Sequence, residues 1–252
     1  MAYGPEFAQF YDRHWRAFGE TVAPKILAHV EPLVGGRRVL DLCCGTGASS
    51  QVFAEDGWTV TGVDASAAMI NIARRRADAA DWGSRTSYVV QDVTRLDLAG
   101  QEPYDVVLCL YDSINHLPGS AAVAAMVESA AELADAGAHF VLDLNTPQAL
   151  AGWGDTDEVI VDEAGRLTLS AAQDAERGTT TLHVQGQLGA GTGNHDTFSE
   201  EHVEHLVDLA SLSASLTAAG WHRQRFTTYA NLSVDIADPA SVRRLVVMAV
   251  RT

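Results

Sequence analysis

Three carboxylates fall at or near the ends of three consecutive apolar runs, and their spacing suits recognition of a nucleoside with a cationic neighbour. Asp41 stands within Arg38-Val39-Leu40-Asp41-Leu42, Asp64 closes Thr59-Val60-Thr61-Gly62-Val63, and Asp92 follows the run 86–90. Asp64 lies 17 residues beyond Gly47, where a strand-end acid can accept hydrogen bonds from both ribose hydroxyls. Asp92 is placed to receive an adenine amino group. Between the first two acids runs Cys43-Cys44-Gly45-Thr46-Gly47-Ala48, in which Gly45 and Gly47 permit backbone conformations and a close ligand approach that side chains would block. A Gly-x-Gly turn alone is common, and Asp often caps turns; the specific signal is the combination. Asp41 discriminates further, because a carboxylate beside this loop opposes a dinucleotide pyrophosphate and favours a ligand carrying an ammonium and a sulfonium. Cys43 and Ser50 stand where the first and third dinucleotide glycines would be, which also argues against a hydride-transferring dehydrogenase.

Acids so spaced need a parallel sheet to deliver them. The runs 38–42, 59–63, 86–90, 104–110 and 139–144 are short, apolar and separated by helix-patterned segments. That alternation belongs to strands buried on both faces. Ser66 reads as the cap of a helix reaching about residue 80, and 121–135 is helical. Residues 5–22 read as one amphipathic helix, with Phe7, Tyr11, Trp15, Phe18 and Val22 at helical spacing, and 24–30 as a second, short helix. From about residue 151 β-rich runs at 159–161, 167–171 and 180–188 leave no room for crossover helices, which predicts an antiparallel insertion. It closes on a glycine-rich loop at 189–193, expected to be mobile. A helix over 206–219 and strands over 221–229 and 244–250 return to the core.

At this point the segments resemble a known family. Val39–Gly47 resembles motif I of class I S-adenosyl-L-methionine-dependent methyltransferases, Gly62-Val63-Asp64-Ala65-Ser66 with Met69 their second motif, and Gln91-Asp92-Val93 their adenine-contacting segment. The stretch 104–117 resembles motif IV of the small-molecule branch, glycine N-methyltransferase-like and amino-sugar N-methyltransferase-like enzymes among them. Ala219-Gly220-Trp221 is similar to the step before their sixth strand. The resemblance implies an α/β fold: a Rossmann-like seven-stranded sheet, its last strand antiparallel, with helices on both faces and the antiparallel β insertion between strand five and the last core helix. It implies a lid helix and cofactor-binding core over 1–150, an insertion over 151–205 walling the acceptor pocket, and a core remainder over 206–252. The implied cofactor is S-adenosyl-L-methionine, held by Asp41, Cys43, Gly45, Gly47, Asp64, Ala65, Met69, Asp92, Val93 and Leu110. Cys43 departs from the commoner glycine.

On the acceptor side, the segment Tyr111-Asp112-Ser113-Ile114-Asn115 lacks the Pro-Pro pair of the nucleic-acid amino-methyltransferases. Asp112 and Asn115 are candidate acceptor contacts. Tyr3, Tyr11 and Trp15 read either as a docking helix filling a groove or, by resemblance, as a lid with Tyr11 near the methionine moiety and Tyr3 and Trp15 on the acceptor. Tyr11, Tyr111 and His116 are the candidate catalytic residues, His116 as base or orienter against a purely structural hydrogen bond. Asp112, Asp143 and Asn145 could mimic a catechol-type metal site, but ordinary turn and strand acids explain them. His195, His202 and His205 lie among glutamates with no fourth ligand, which predicts a solvated surface and no metal.

The net charge of −16 in 252 residues repels phosphate backbones and anionic membranes. The densest basic cluster, Arg74-Arg75-Arg76, reads as a solvated helix face. No run approaches ~18 consecutive apolar residues, and the first residues lack the basic and apolar regions of a signal peptide. Three cysteines without CxxC spacing suit reduced thiols in a cytoplasmic setting. The expected partner is a small-molecule acceptor, with no nucleic acid and no membrane; a homo-oligomer is compatible with the sequence. The expected reaction is methyl transfer, to an amine nitrogen by resemblance. A small-molecule O-methyltransferase and a non-catalytic S-adenosylmethionine-binding module are the alternatives.

Overall fold

The computed structural model describes residues 3–98, 100–153, 157–163, 165–188 and 196–252. The chain opens with α1 (Pro5–His14) and α2 (Arg16–Val30), then alternates β1 (Arg38–Leu42), α3 (Ala48–Glu55), β2 (Thr59–Asp64), α4 (Ala67–Asp78), β3 (Thr86–Val90), β4 (Tyr104–Cys109), α5 (Ser120–Leu133), β5 (Ala134–Asn145) and α6 (Pro147–Leu150). Four strands follow: β6 (Glu158–Asp162), β7 (Gly165–Asp174), β8 (Thr179–Leu188) and β9 (Asp196–His205). The chain closes with α7 (Leu209–Ala218), β10 (Trp221–Thr227) and β11 (Arg244–Arg251).

Seven strands form one sheet in the order β10-β11-β5-β4-β1-β2-β3, and β6-β7-β8-β9 form a second. β1 to β5 pair in parallel, while β11 runs antiparallel to both β5 and β10. Strand side chains alternate between faces, so each apolar run feeds two cores. Leu40, Leu42, Val107, Cys109, Phe140 and Leu142 pack on one face with α5 and α7. Val39, Val106, Leu108, Val141 and Met248 pack on the other with Ala23, Ile26, Phe53 and Ile70 from α2, α3 and α4. Strand order reverses at β1, which lies between β4 and β2, so the crevice at the strands' carboxyl ends opens there.

The expected helix over 5–22 breaks at Trp15, whose backbone leaves helical geometry at φ −115, ψ −9. Pro24 does not start a new helix but sits inside α2. Burial of Ala23, Ile26 and Val30 holds α2 together across the hydrogen bond that a proline cannot donate. The break lets α1 face the second sheet. Phe7 and Phe10 pack on Leu167, Leu169 and Val184, a cluster that includes no residue of the seven-stranded sheet.

The fourth strand of the insertion, β9, carries no apolar run and escaped the sequence pattern. The expectation of a solvated surface at His202 is corrected here, for His202 and Glu204 are each 3% exposed. Alternation turns them inward and leaves Glu201 outside. The loop at 189–193 and His195 lie outside the described residues. No helix among the described residues is long and apolar enough to cross a membrane.

Gly62 in β2 tests the packing beneath the nucleotide loop. A Cβ there would lie 2.6 Å from Tyr88 Cδ1 and 2.9 Å from Cys44 Sγ. Gly62→Ala is expected to lower stability by about 1–3 kcal/mol, measured as a shift in the denaturant midpoint at unchanged slope.

Candidate functional site

The loop after β1 turns inside five residues by placing Cys43, Gly45 and Gly47 at φ 55, 55 and 79. Gly47 also has no room for a side chain, because a Cβ would stand 2.8 Å from the Tyr88 hydroxyl oxygen. Asp64 fixes the loop from the end of β2. One carboxylate oxygen accepts the Gly45 amide at 2.9 Å and the other the Ser66 amide at 2.8 Å. Burial raises the Asp64 pKa, and the two amides oppose that rise. Ser66 caps α4 through its hydroxyl, which accepts the Met69 amide and donates to the Tyr3 carbonyl at 2.6 Å.

The N-terminal segment is tied down on two sides. The Gly4 amide reaches the Glu200 carboxylate of β9. Arg76 of α4 donates to both Asp12 oxygens and to the Thr46 carbonyl. Tyr11 thereby comes over the loop, its ring 3.7 Å from where a Gly45 Cβ would stand.

On the other side of the crevice Tyr111 and Asp112 adopt left-handed backbone, φ 61 and 52, conformations that cost side-chain-bearing residues energy. Asp143 holds them. Its carboxylate accepts the amides of Tyr111 at 3.0 Å and Asp112 at 2.6 Å, the Tyr229 hydroxyl, and Arg244 at 2.9 Å. Arg244 also binds Asp112 at 2.9 Å and lies over the stacked rings of Phe18 and Tyr111. The Asn145 amide donates to Asp112 at 2.6 Å and to Glu204 at 3.0 Å. His116 Nε2 lies 3.4 Å from the Tyr3 hydroxyl and 4.0 Å from a Glu204 oxygen.

Burial dominates the electrostatics. It pushes Asp112 up to about 6 against the pull of Arg244. It pushes Glu204 up to about 8, with Asp112 adding to the rise. It holds His116 down to about 4, with His202 second. Tyr3, Tyr11 and Tyr111 are raised by the same cause, so their hydroxyls keep their protons.

A cavity of about 1120 Å3 joins the two sides. Of the residues singled out in sequence, Tyr3, Tyr11, Trp15, Cys43, Gly45, Asp64, Ala65, Asp92, Val93, Tyr111, Asp112 and His116 line it. Asp41, Gly47, Met69, Leu110 and Asn115 do not. Asp41 is 2% exposed and accepts the Ser50 hydroxyl at 2.6 Å. Burial pushes it up to about 7, which weakens its expected role as a fixed charge beside the ligand. Asn115, expected at the acceptor, is fully buried. Its amide donates to the Asn145 and His205 carbonyls, and its oxygen accepts the Asn145 amide. Met69 is fully buried and its amide donates to the Ser66 cap, and Gly47 lies close against Tyr88 and Ala73. Asp92 sits at the rim, bonded to the Thr94 amide and hydroxyl, which lower its pKa. Asp112 and Asp143 do converge, but around Arg244 and backbone amides; among the described residues no cluster of His, Cys, Asp or Glu is arranged to hold a metal.

Sequence reasoning missed Glu204 and Arg244, both of which line the cavity. Period-two reading of the polar stretch 196–205 would have found Glu204; Arg244 carried no local signal, since it opens an ordinary apolar strand.

The core and crevice thus define a class, and the comparisons agree with it. Residues 39–137 match the family model for a methyltransferase domain. The chain is 38% identical over 95 residues to the glycine N-methyltransferase of Rattus norvegicus, covering 34% of this chain and 31% of that one. It is 31% identical over 142 residues to the ubiquinone biosynthesis O-methyltransferase of Cronobacter sakazakii, covering 53% and 56%. It therefore spans about a third to about half of these curated relatives. Its fold is similar over 98% of both chains to an S-adenosylmethionine-dependent methyltransferase from Clostridium acetobutylicum, with a TM-score of 0.80 at 19% identity. It is also similar to a sugar N-methyltransferase from a Streptoalloteichus species, with a TM-score of 0.75 at 24% identity, over 100% of this chain and 94% of the other. At such identities the likeness is one of fold.

Two substitutions probe the wall of the cavity formed around Asp112 and Glu204. Asp143→Ala leaves two backbone amides and the Arg244–Asp112 pair without their shared acceptor, and is expected to cost roughly 3–5 kcal/mol in chemical denaturation, with Asp143→Asn recovering part. Glu204 keeps its proton in the folded protein to about pH 8 and loses it near 4.5 in the unfolded chain. Its stabilising effect is therefore complete at low pH and lost as pH rises through about 8. Glu204→Gln lacks that loss, so its melting temperature relative to the wild type is expected to climb as pH is raised from 5 to 9.

Proposed function

We propose that this protein transfers a methyl group from S-adenosyl-L-methionine to a small-molecule acceptor, with an amine nitrogen as the preferred acceptor. The observation that carries this reading is the single cavity with two chemically different ends. At one end Asp64, Ala65, Asp92 and Val93 surround an open floor at Gly45, and the fit to the donor is physical. Asp64 has spare carboxylate lone pairs for ribose hydroxyls, and the gap between Gly45 and Tyr11 would close if a Cβ filled it. At the other end stand Asp112, His116, Glu204 and Arg244. A pocket for one drug-sized ligand occupies about 300–1,000 Å3, so a cavity of about 1120 Å3 leaves space for two ligands in contact.

The donor supplies an electrophilic methyl group on a sulfonium. What the chain supplies is alignment and exclusion of water, which for two bound reactants is worth about 7–11 kcal/mol. Tyr3, Phe7, Tyr11 and Trp15 roof the cavity and present ring faces and edges at its middle, where positive charge is favoured. The acid-rich acceptor end favours a cationic amine over a neutral hydroxyl. Oxygen is the second reading, because the relative matched over the longer stretch is named an O-methyltransferase. A panel of amines, phenols and amino sugars with labelled donor tests both; labelled amine products are expected. Transfer to phenols alone would reverse the preference, and donor binding without transfer to any acceptor would leave a binding module.

Two substitutions test the donor end. Asp64→Ala is expected to weaken binding of S-adenosylhomocysteine by roughly 1.5–3 kcal/mol in calorimetry, and wild-type affinity in the folded variant would remove Asp64 from the site. Tyr11→Phe keeps the packing and removes one hydroxyl; a several-fold loss in kcat/KM is expected with little change in melting temperature.

A further inference from the structure

We propose that Glu204, a residue of the insertion strand β9, is a catalytic residue that binds the acceptor as an ammonium ion and takes its proton. The inference rests on the methyl-transfer reading and names the residue and substrate class that complete it.

The argument starts from charge around the acceptor wall. Asp112, Asp143 and Glu204 come together where Arg244 is the full cation within ion-pair distance of the first two. Arg244 donates to Asp112 and to Asp143, at 2.9 Å each. Glu204 receives neither. Among the described residues the donor to its carboxylate is the neutral Asn145 amide, on Oε2, while Oε1 faces His116 at 4.0 Å. His116 is itself half-buried and kept neutral by the loss of solvent around its ring. Glu204 is thus a carboxyl 3% exposed, lining the cavity, whose other side-chain hydrogen bond is to the Asp112 carboxyl, a bond that requires a proton between the two acids. A buried carboxylate stays ionised only when paired. Alone it holds a proton; a cation in the cavity supplies the missing partner.

An alkylammonium fits this wall for a geometric reason as well. Asn145 bridges Asp112 and Glu204 through one amide nitrogen, so the two carboxylates present a common edge. An ammonium has three donors without an acceptor and can bond to both. The other groups facing Glu204 are Glu200 and His202 of the same strand and Tyr3 of the N-terminal segment. Tyr3 keeps its proton, and Glu200 is engaged by the Gly4 amide and by His202 at 3.1 Å.

The proton balance is simple. The acceptor's N–H bond breaks, its electron pair stays on nitrogen, and the proton moves to a Glu204 oxygen, giving a neutral amine and a carboxylic acid. The nitrogen lone pair then forms the N–C bond while the methyl–sulfur bond breaks and its electrons remain on sulfur. The product carries the positive charge that left the sulfonium, and Glu204 returns its proton to solvent when the cavity opens. A carboxyl whose proton affinity lies near neutral pH suits both directions of that transfer.

The test uses methylammonium chloride as the probe, on the full chain saturated with S-adenosylhomocysteine and carrying carboxyl-13C glutamate. The resonance absent from Glu204→Gln is assigned to Glu204 and titrated at matched ionic strength in methylammonium or sodium chloride. The expected result is a midpoint at least about one pH unit lower in methylammonium, a tenfold change in proton affinity, with no such shift on adding methanol. Equal midpoints in the two salts would overturn the proposal, and a shift of the same size in sodium would replace the ammonium site with a general cation effect and overturn it too. Calorimetry of S-adenosylhomocysteine separates the failures: absence of binding to the wild type defeats the methyl-transfer reading, whereas normal binding with an unmoved Glu204 defeats this inference alone.

Discussion

The buried carboxylate of Asp143 is the constraint on which the half of the cavity around Asp112 and Arg244 depends. It sits at the end of β5 with no exposure, where a bare charge would be costly. The groups that relieve that cost gather around the crevice: two amides of a left-handed turn and an arginine from β11, which line it, and a tyrosine hydroxyl from beyond β10. The strain at Tyr111 and Asp112 is thus held by an interaction that itself could not exist without the turn. Both strands reach Asp143 through ordinary sheet pairing, β11 in register Val246 to Asp143. Packing of the seven-stranded sheet and geometry of the crevice are one problem here.

On the donor side the same logic uses a different currency. Asp64 is fixed by backbone amides alone, so its orientation follows from the loop and the cap of α4 and needs no side-chain cation. This leaves the carboxylate oriented and still able to accept from a ligand. The N-terminal segment links the halves, because its backbone is bonded to Ser66 at one side and to Glu200 at the other. A structural role for that segment and a role over the cavity are therefore not alternatives. Phe10 packs on the second sheet, while Phe7, Tyr3 and Tyr11 both pack with that cluster and line the cavity.

Legibility in the sequence followed burial. β1, β2, β4 and the end of β5 were readable because each is enclosed on both faces and is mostly apolar, whereas β3, an exposed edge strand, was readable from its Tyr-Val-Val run. The acids at their ends were readable because strands end where the crevice begins. Asp41 was placed on the right strand but read as a ligand-facing charge; it points into the core face of β1 and shares a hydrogen bond with Ser50, a distinction of one step in a two-residue period. β9 was invisible for the opposite reason. Its inward face offers Phe198 to the cluster of α1, His202 to the rings of Tyr3 and Phe7, and Glu204 to the cavity, so burial left a single apolar side chain there and no alternating apolar run. Arg244 and Asp143 could not be paired from sequence, since their meeting depends on an antiparallel register across about a hundred residues. The break at Trp15 was equally hidden, because helical spacing continues through it and only docking on the second sheet reveals the bend.

The cluster that joins α1 to the four-stranded sheet contains no residue of the seven-stranded one. Glu204, Leu169 and Leu182 reach the cavity from the strands of the four-stranded sheet, and His202 packs beneath its roof against Tyr3 and Phe7. Changes on the inward face of that sheet can therefore reshape what the cavity admits while the loop at Gly45 and the cap at Ser66 stay as they are. The fold is built as a constant floor with an exchangeable wall, in which β7 to β9 can vary in what they present to the cavity while the loop after β1 keeps its course.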